Sequence, residues 1–397
     1  MRHRVLATAW FLAASALAFH DASADPRVAS LRTECGFTDP DPCYETTAEV
    51  VTWIEAQAPT ASDPVLVDVG PGAFSDIVCS GWGHATFRGS GRTASRFVGT
   101  STAVSALNCD DLTFQDLTLE ATGYGILWSH SGRGTWQGVD VVANRPWLDY
   151  CATAEQREQL FSDARLRGKL PSGTPPLAIG CTQWNFLGGE IVLSGTGSPS
   201  ASASHVGMLI RGGSSARFLG TTLRVVSGDW APTASVPGGA FAVRVGGSLG
   251  GSAPGNPVFE MHSGIINIDM SGVASASVTA VDVIGSASRA DTAGAAYILR
   301  TGASGGIATR IANPSGASVA GAFLWQAGTE PPSASPGGPS VKSVDGADLF
   351  VETDCSISGV CDGTSHETHL MIMNPAACPG SDPWFNSAVG RCRSTDN

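Results

Sequence analysis

Asp140, Glu120 and Arg224 are the residues whose types and spacing could act on a substrate, two carboxylates and an arginine within short alternating segments. Carboxyls about 5 Å apart serve a retaining glycosidase and up to about 9 Å an inverting one, so this pair on neighbouring strands is a candidate catalytic set. Thr118, Asp140, Val192, Arg224 and Asn267 each sit between two aliphatics, which predicts one outward row along a flank. Thr118 and Asn267 would add a hydroxyl and an amide for a sugar chain. Arg145, Trp147 and Tyr150 follow Asp140 closely and are candidate substrate contacts, because aromatic faces pack on sugar rings and arginine grips carboxylates at two points. The competing readings are an ordinary solvated face for the row and a loop anchor for Trp147.

Other motifs carry less. Gly246-Gly247-Ser248-Leu249-Gly250 has the spacing of a nucleophile elbow, but Gly251, Pro254 and Pro257 follow where a helix is required. His130 and Arg133 lie in a glycine-rich bend without an evident partner. His366 and His369 would face opposite ways on a strand, and no C-x-x-C occurs, so neither metal nor cofactor is expected.

What must position these residues is an internal repeat. An apolar segment (Gly125 to Trp128, Gly207 to Ile210, Phe241 to Val245), an aromatic (Phe114, Trp136, Phe186, Phe218, Phe259) and an alternating pair recur in one order. The pairs are Leu117 and Leu119, Val139 and Val141, Ile191 and Leu193, Leu223 and Val225, Ile266 and Ile268. Leu117 to Val139 spans 22 positions and Val139 to Ile191 spans 52, an excess of 30 that equals the separation of Cys151 and Cys181. The sequence therefore predicts an all-β, right-handed, single-stranded parallel β-helix over 25–330, interrupted by a loop and helix excursion over 145–180. Thr153 and Gln156 suggest a capping box that opens a helix from Ala154 to Arg167. A β-sandwich is the rival, but it would show pairwise strands with hairpin turns rather than a three-part repeat.

The ends are expected to be covered. Thr46 with Glu49 predicts a capped helix to Ala56, burying Val50, Trp53 and Ile54 over the first coil. Residues 331–340 read as a linker, and 341–397 as a cysteine-containing cap or tail. Residues 1–24 have the charge, apolar run and small-residue end of a signal peptide, which predicts secreted or periplasmic residence. The ten cysteines then suggest disulfides, with neighbours pairing as one guess among many: Cys35, Cys43, Cys79, Cys109, Cys151, Cys181, Cys355, Cys361, Cys378 and Cys392. A net charge of -12 argues against a nucleic-acid partner, and no further segment is long and apolar enough to predict a membrane span. The sequence leaves the oligomeric state open.

The opening coils resemble pectin-lyase-like proteins, pectinesterases in particular. The resemblance rests on Val67-Asp68-Val69-Gly70-Pro71-Gly72-Ala73-Phe74, Ser90-Gly91-Arg92-Thr93, Phe97-Val98-Gly99 and Phe114-Gln115-Asp116-Leu117-Thr118-Leu119. It implies the β-helix and a carbohydrate ligand. It brings no catalytic residue: the Q-A-V-A-L and D-F-[IV]-F-G segments of pectinesterases are absent, and Asn144-Arg145-Pro146-Trp147 lies too early to be their L-G-R-P-W. The expectation is an exported protein engaging an extracellular polysaccharide or glycan, with a divergent esterase, hydrolase or lyase as its enzymatic form. The alternative is a non-catalytic surface solenoid for adhesion or assembly.

Overall fold

The computed structural model describes residues 26–36, 42–150, 157–170, 174–180, 182–199, 204–246, 257–270, 272–284 and 288–291, and strands within 296–394. The signal segment, the 331–340 linker and Cys151, Cys181, Cys355, Cys361 and Cys378 lie outside these residues, and Cys392 is described by its backbone alone.

Two parallel sheets wind around one core. The aromatic sheet takes one strand per coil, including Gly83–Gly89, Asp110–Gln115, Gly134–Gln137, Arg157–Ser162, Thr182–Leu187, Ser215–Leu219 and Val258–His262, each paired in parallel with the next. The second sheet bends, so each coil crosses it in two arms. Thr118–Ser129 and Asp140–Tyr150 cover both arms in one strand, whereas Arg165–Leu170 and Leu177–Gly180 divide them. The parallel register removes the sandwich reading and makes the chain a parallel β-helix.

Alternation explains the core. Leu119, Val141, Leu166, Ile191, Leu223 and Ile266 stack in register on the first arm, and all are buried. On the aromatic sheet Phe87, Phe114, Trp136, Phe161, Phe186, Phe218 and Phe259 form a continuous inner ladder, with centroids 4.8 Å apart for Phe114–Trp136 and 5.0 Å for Phe161–Phe186. Neighbouring coils thus lock through ring pairs worth about 0.5–1.5 kcal/mol each beyond burial. Between the sheets the chain turns through left-handed residues: Asp116, Gly138, Asp163, Gly188 with Gly189, Gly220 and Ser263. Glycine takes this conformation without strain, and aspartate is among the few side chains that tolerate it. Arg92 fastens this column, donating to Gly138 O at 2.6 Å and to Asp163 Oδ2 at 2.5 Å.

Residues 157–170 correct the expected excursion. Arg157–Ser162 and Arg165–Leu170 are strands that place Phe161 between Trp136 and Phe186 and Leu166 between Val141 and Ile191. The stretch supplies a whole coil. Leu160, Phe161 and Ala164 fit one face of a helix, but Phe161, Ala164 and Leu166 are the residues that the coil buries. Beyond residue 330 the register also continues, with Asp348–Thr353 pairing Ser318–Phe323 and Thr368–Ile372 pairing Asp348–Thr353 in parallel.

The covering helix α1 spans Thr47–Gln57, with a complete Thr46–Glu49 capping box and Val50 and Ile54 buried. Trp53 is partly buried, packed against the core. Cys35–Cys43 and Cys79–Cys109 are disulfides.

Candidate functional site

The two arms of the second sheet meet in a crease that runs along the helix axis. Its floor is made of small residues, Gly99, Ala121, Ala143 and Gly168, and the register breaks there between Ala121 and Tyr124. A Cβ on Gly168 would sit 2.6 Å from Pro146 Cδ, so the close bend depends on glycine at that point. The crease encloses about 600 Å³ against Val98, Glu120, Val142, Arg167, Lys169 and Val192. A second hollow of about 430 Å³, lined by Tyr124 and Arg145, shares Asn144 and Lys169 with it.

The strand Arg165–Leu170 gives the crease its charge. Alternation turns Leu166, Gly168 and Leu170 inward and leaves Arg165, Arg167 and Lys169 exposed. None of these three side chains has an ion pair or hydrogen bond among the described residues. Other arginines are engaged: Arg92 with Asp140 and Asp163, Arg96 with Glu120, Arg133 with Glu158, Arg217 with Glu260 and Arg244 with Asp282. Arg167 stands in register between Val142 and Val192, and Lys169 beside Ser194, so no acid competes for either from those positions. Arg145 is oriented by Tyr124, donating to its hydroxyl at 2.8 Å with the guanidinium carbon 5.5 Å from the ring centroid. The result is three cations beside an uncharged floor, on a chain whose net charge is -12.

The expected row divides in two. Thr118, Asp140, Arg165, Glu190 and Thr222 form one register, and Glu120, Val142, Arg167, Val192, Arg224 and Asn267 form the next. Ile191 pairs with Val141 through Leu166, not with Val139. A two-residue slip leaves the alternating pattern unchanged, so the inner face could not reveal it. Asp140 and Arg224 are therefore not equivalents.

Asp140 is turned to Arg92, 3.6 Å away, and Thr118 donates its hydroxyl to Arg92 O at 2.6 Å. Both belong to the fastening of the corner column. Glu120 does line the crease, paired with Arg96 at 3.6 Å. Arg224 is paired with Glu190 at 3.6 Å, and Asn267 adjoins it one coil on; neither lines the crease. Trp147 is a correction: it is fully buried, 5.1 Å from Trp184 and 5.8 Å from Trp136 between ring centroids, because it occupies the inward register position between Ile126 and Leu177. Tyr150 ends its strand opposite Ser129, and its side chain lies outside the described residues.

Sequence reasoning missed Arg167 and Lys169 because they fell inside the supposed excursion. The signal was the segment RLRGKL itself, a strict alternation of basic with aliphatic or glycine. It also missed two carboxylate pairs. His84 Nδ1 lies 3.2 Å from Asp111 Oδ2 on the outer aromatic sheet, beside the Arg133–Glu158 pair. Arg244 Nε lies 2.8 Å from Asp282 Oδ2, which is fully buried. In the interior, Asp149 accepts from the Thr182 hydroxyl at 2.7 Å, and burial pushes its carboxyl up to about 7 against the pull of that bond and of Arg157 and Arg211. Among the described residues no group of three or more His, Cys, Asp or Glu is placed to hold a metal, and no helix is long and apolar enough to cross a membrane.

No protein-family model and no curated protein matches the sequence. Solved structures similar in fold include pectin methylesterase PemA from Erwinia chrysanthemi, at 11% identity and a TM-score of 0.42, covering 62% of this chain and 80% of that one. A pectin methylesterase in complex with hexasaccharide VII is similar at 13% identity and a TM-score of 0.41, covering 62% and 82%. The likeness is distant, and it carries no residue roles to this chain.

Proposed function

We propose that the chain is exported and engages an extracellular polysaccharide bearing acidic sugars, held in the crease by Arg167 and Lys169 and in the adjoining hollow by Arg145. The observation that carries this reading is the pair of exposed, unpaired cations Arg167 and Lys169 on the wall of a groove about 600 Å³ in volume. Arginine and lysine left without acids can be recruited without breaking an ion pair, and a carboxylate between them gains charge-assisted hydrogen bonds. The two disulfides suit an oxidising compartment.

Binding is favoured over cleavage. Glu120 is the one carboxylate among the crease's lining residues, and Asp140, the other half of the expected pair, is committed to Arg92. General acid–base hydrolysis of a glycoside needs both.

The test is titration of the full chain with acidic and neutral oligosaccharides, beside an Arg167→Met/Lys169→Met variant. Losing two charged contacts at about 1.5–3 kcal/mol each should weaken acidic-glycan binding at least tenfold with unchanged circular dichroism. Equal affinity in the variant, or no retention of acidic glycans by the parent, rejects the reading. Release of reducing ends that stops on Glu120→Gln would restore the enzymatic form.

A further inference from the structure

The outer row that lines the crease alternates in character from coil to coil, Val98, Glu120, Val142, Arg167 and Val192, and continues one coil beyond it to Arg224. Successive rungs stand about 4.8 Å apart. One sugar of an extended glycan advances its chain by a similar distance, so a glycan laid along the axis sets about one sugar on each rung.

The rungs are unequal hosts. Arg167 carries an unpaired cation, and Lys169, two residues on along the same strand, is exposed on the same face, so one carboxylate can be met by both. Val142 and Val192 flank it and offer only methyl groups, Val142 being 37% exposed. A carboxylate set over either valine loses water without gaining a donor. Two rungs from Arg167 stands Glu120, whose charge repels an acid and is already held by Arg96. In the other direction Arg224 is held by Glu190. The row therefore has one place for an acid with uncharged places on either side.

We infer that the ligand of the crease is a heteroglycan in which each acidic sugar is flanked by neutral ones, the neutral rings resting apolar faces on Val142 and Val192, and not a homopolymer of uronic acid. This rests on the proposed glycan site and narrows it.

Calorimetric titration of the full chain with three probes tests it: a hyaluronan hexasaccharide, in which uronate alternates with a neutral amino sugar, hexagalacturonate, charged at every unit, and neutral chitohexaose. The hyaluronan hexasaccharide should bind at least tenfold more tightly than either other probe. Val192→Arg, at a partly exposed position whose register neighbours are Arg167 and Arg224 and not an acid, places a cation on the neighbouring rung and should raise hexagalacturonate affinity about tenfold. Hexagalacturonate binding as tightly as the alternating probe, or an affinity ratio untouched by Val192→Arg, overturns the inference while leaving an acidic-glycan site. Failure of both acidic probes to bind retires the site and the inference together.

Discussion

Replacing Trp147 by alanine separates a core role from a sugar-stacking role. The indole is fully buried, with ring centroids 5.1 Å from Trp184, 5.7 Å from Phe161, 5.8 Å from Trp136 and 5.9 Å from Trp128. Tryptophan-to-alanine changes in cores cost about 3–5 kcal/mol, and four aromatic neighbours place this site in the upper part of that range. With a guanidinium slope of about 4 kcal/mol per molar, the unfolding midpoint should fall by about 1 M. Because each coil of a solenoid contacts only its neighbours, amide exchange should quicken first in Gly134–Gln137 and Arg157–Ser162. Trp147→Phe keeps a ring in place and should recover more than half of the loss. A Trp147→Ala protein with the parental midpoint and exchange pattern, but without glycan binding, would refute the register that turns this side chain inward.

Further outcomes follow from the same geometry. Arg92→Ala removes bonds to Gly138 O and Asp163 and the facing charge of Asp140, and should destabilise the chain by about 2–4 kcal/mol while glycan affinity stays within twofold. Asp140→Ala should likewise lower the melting temperature and leave glycan affinity unchanged, as titration of the folded variant would show. Burial pushes the Asp149 carboxyl up to about 7 in the folded chain from its ordinary 3.8, so between those values the folded state keeps a proton that the unfolded state has released. Stability from this group is present at low pH and is lost as pH rises from about 4 to about 7, by up to about 4 kcal/mol. Asp149→Asn should flatten that part of the stability–pH curve, measured by denaturant melts at half-unit steps.

The inward half of this molecule was legible in the sequence because period-two alternation and the recurring aromatics state directly which side chains stack. The cap helix was equally plain, since Thr46 and Glu49 fix its start by local bonding. The outward half was not. Slipping a strand by two residues keeps every buried position buried, so nothing in the pattern distinguished Val139 from Val141 as the partner of Ile191. The coil at 157–170 was hidden for a related reason. Glutamine, leucine and phenylalanine in Arg157–Ser162 suit a helix as well as a strand, and the register with Trp136 and Phe186 decides for the strand. Arg167 and Lys169 became visible as a site only once that coil was in place. The commitments of Asp140 to Arg92 and of Trp147 to the ring cluster are contacts between residues far apart in the chain, which spacing alone does not report.

A crystal structure of the full chain with the hyaluronan hexasaccharide shows whether an acidic sugar sits between Arg167 and Lys169. The saccharide is expected along the crease, with one carboxylate at hydrogen-bond distance, about 2.7–3.2 Å, from the Arg167 guanidinium and the Lys169 ammonium. An ordered, sugar-free crease with the saccharide bound elsewhere, against the His84–Asp111 face for instance, would contradict it.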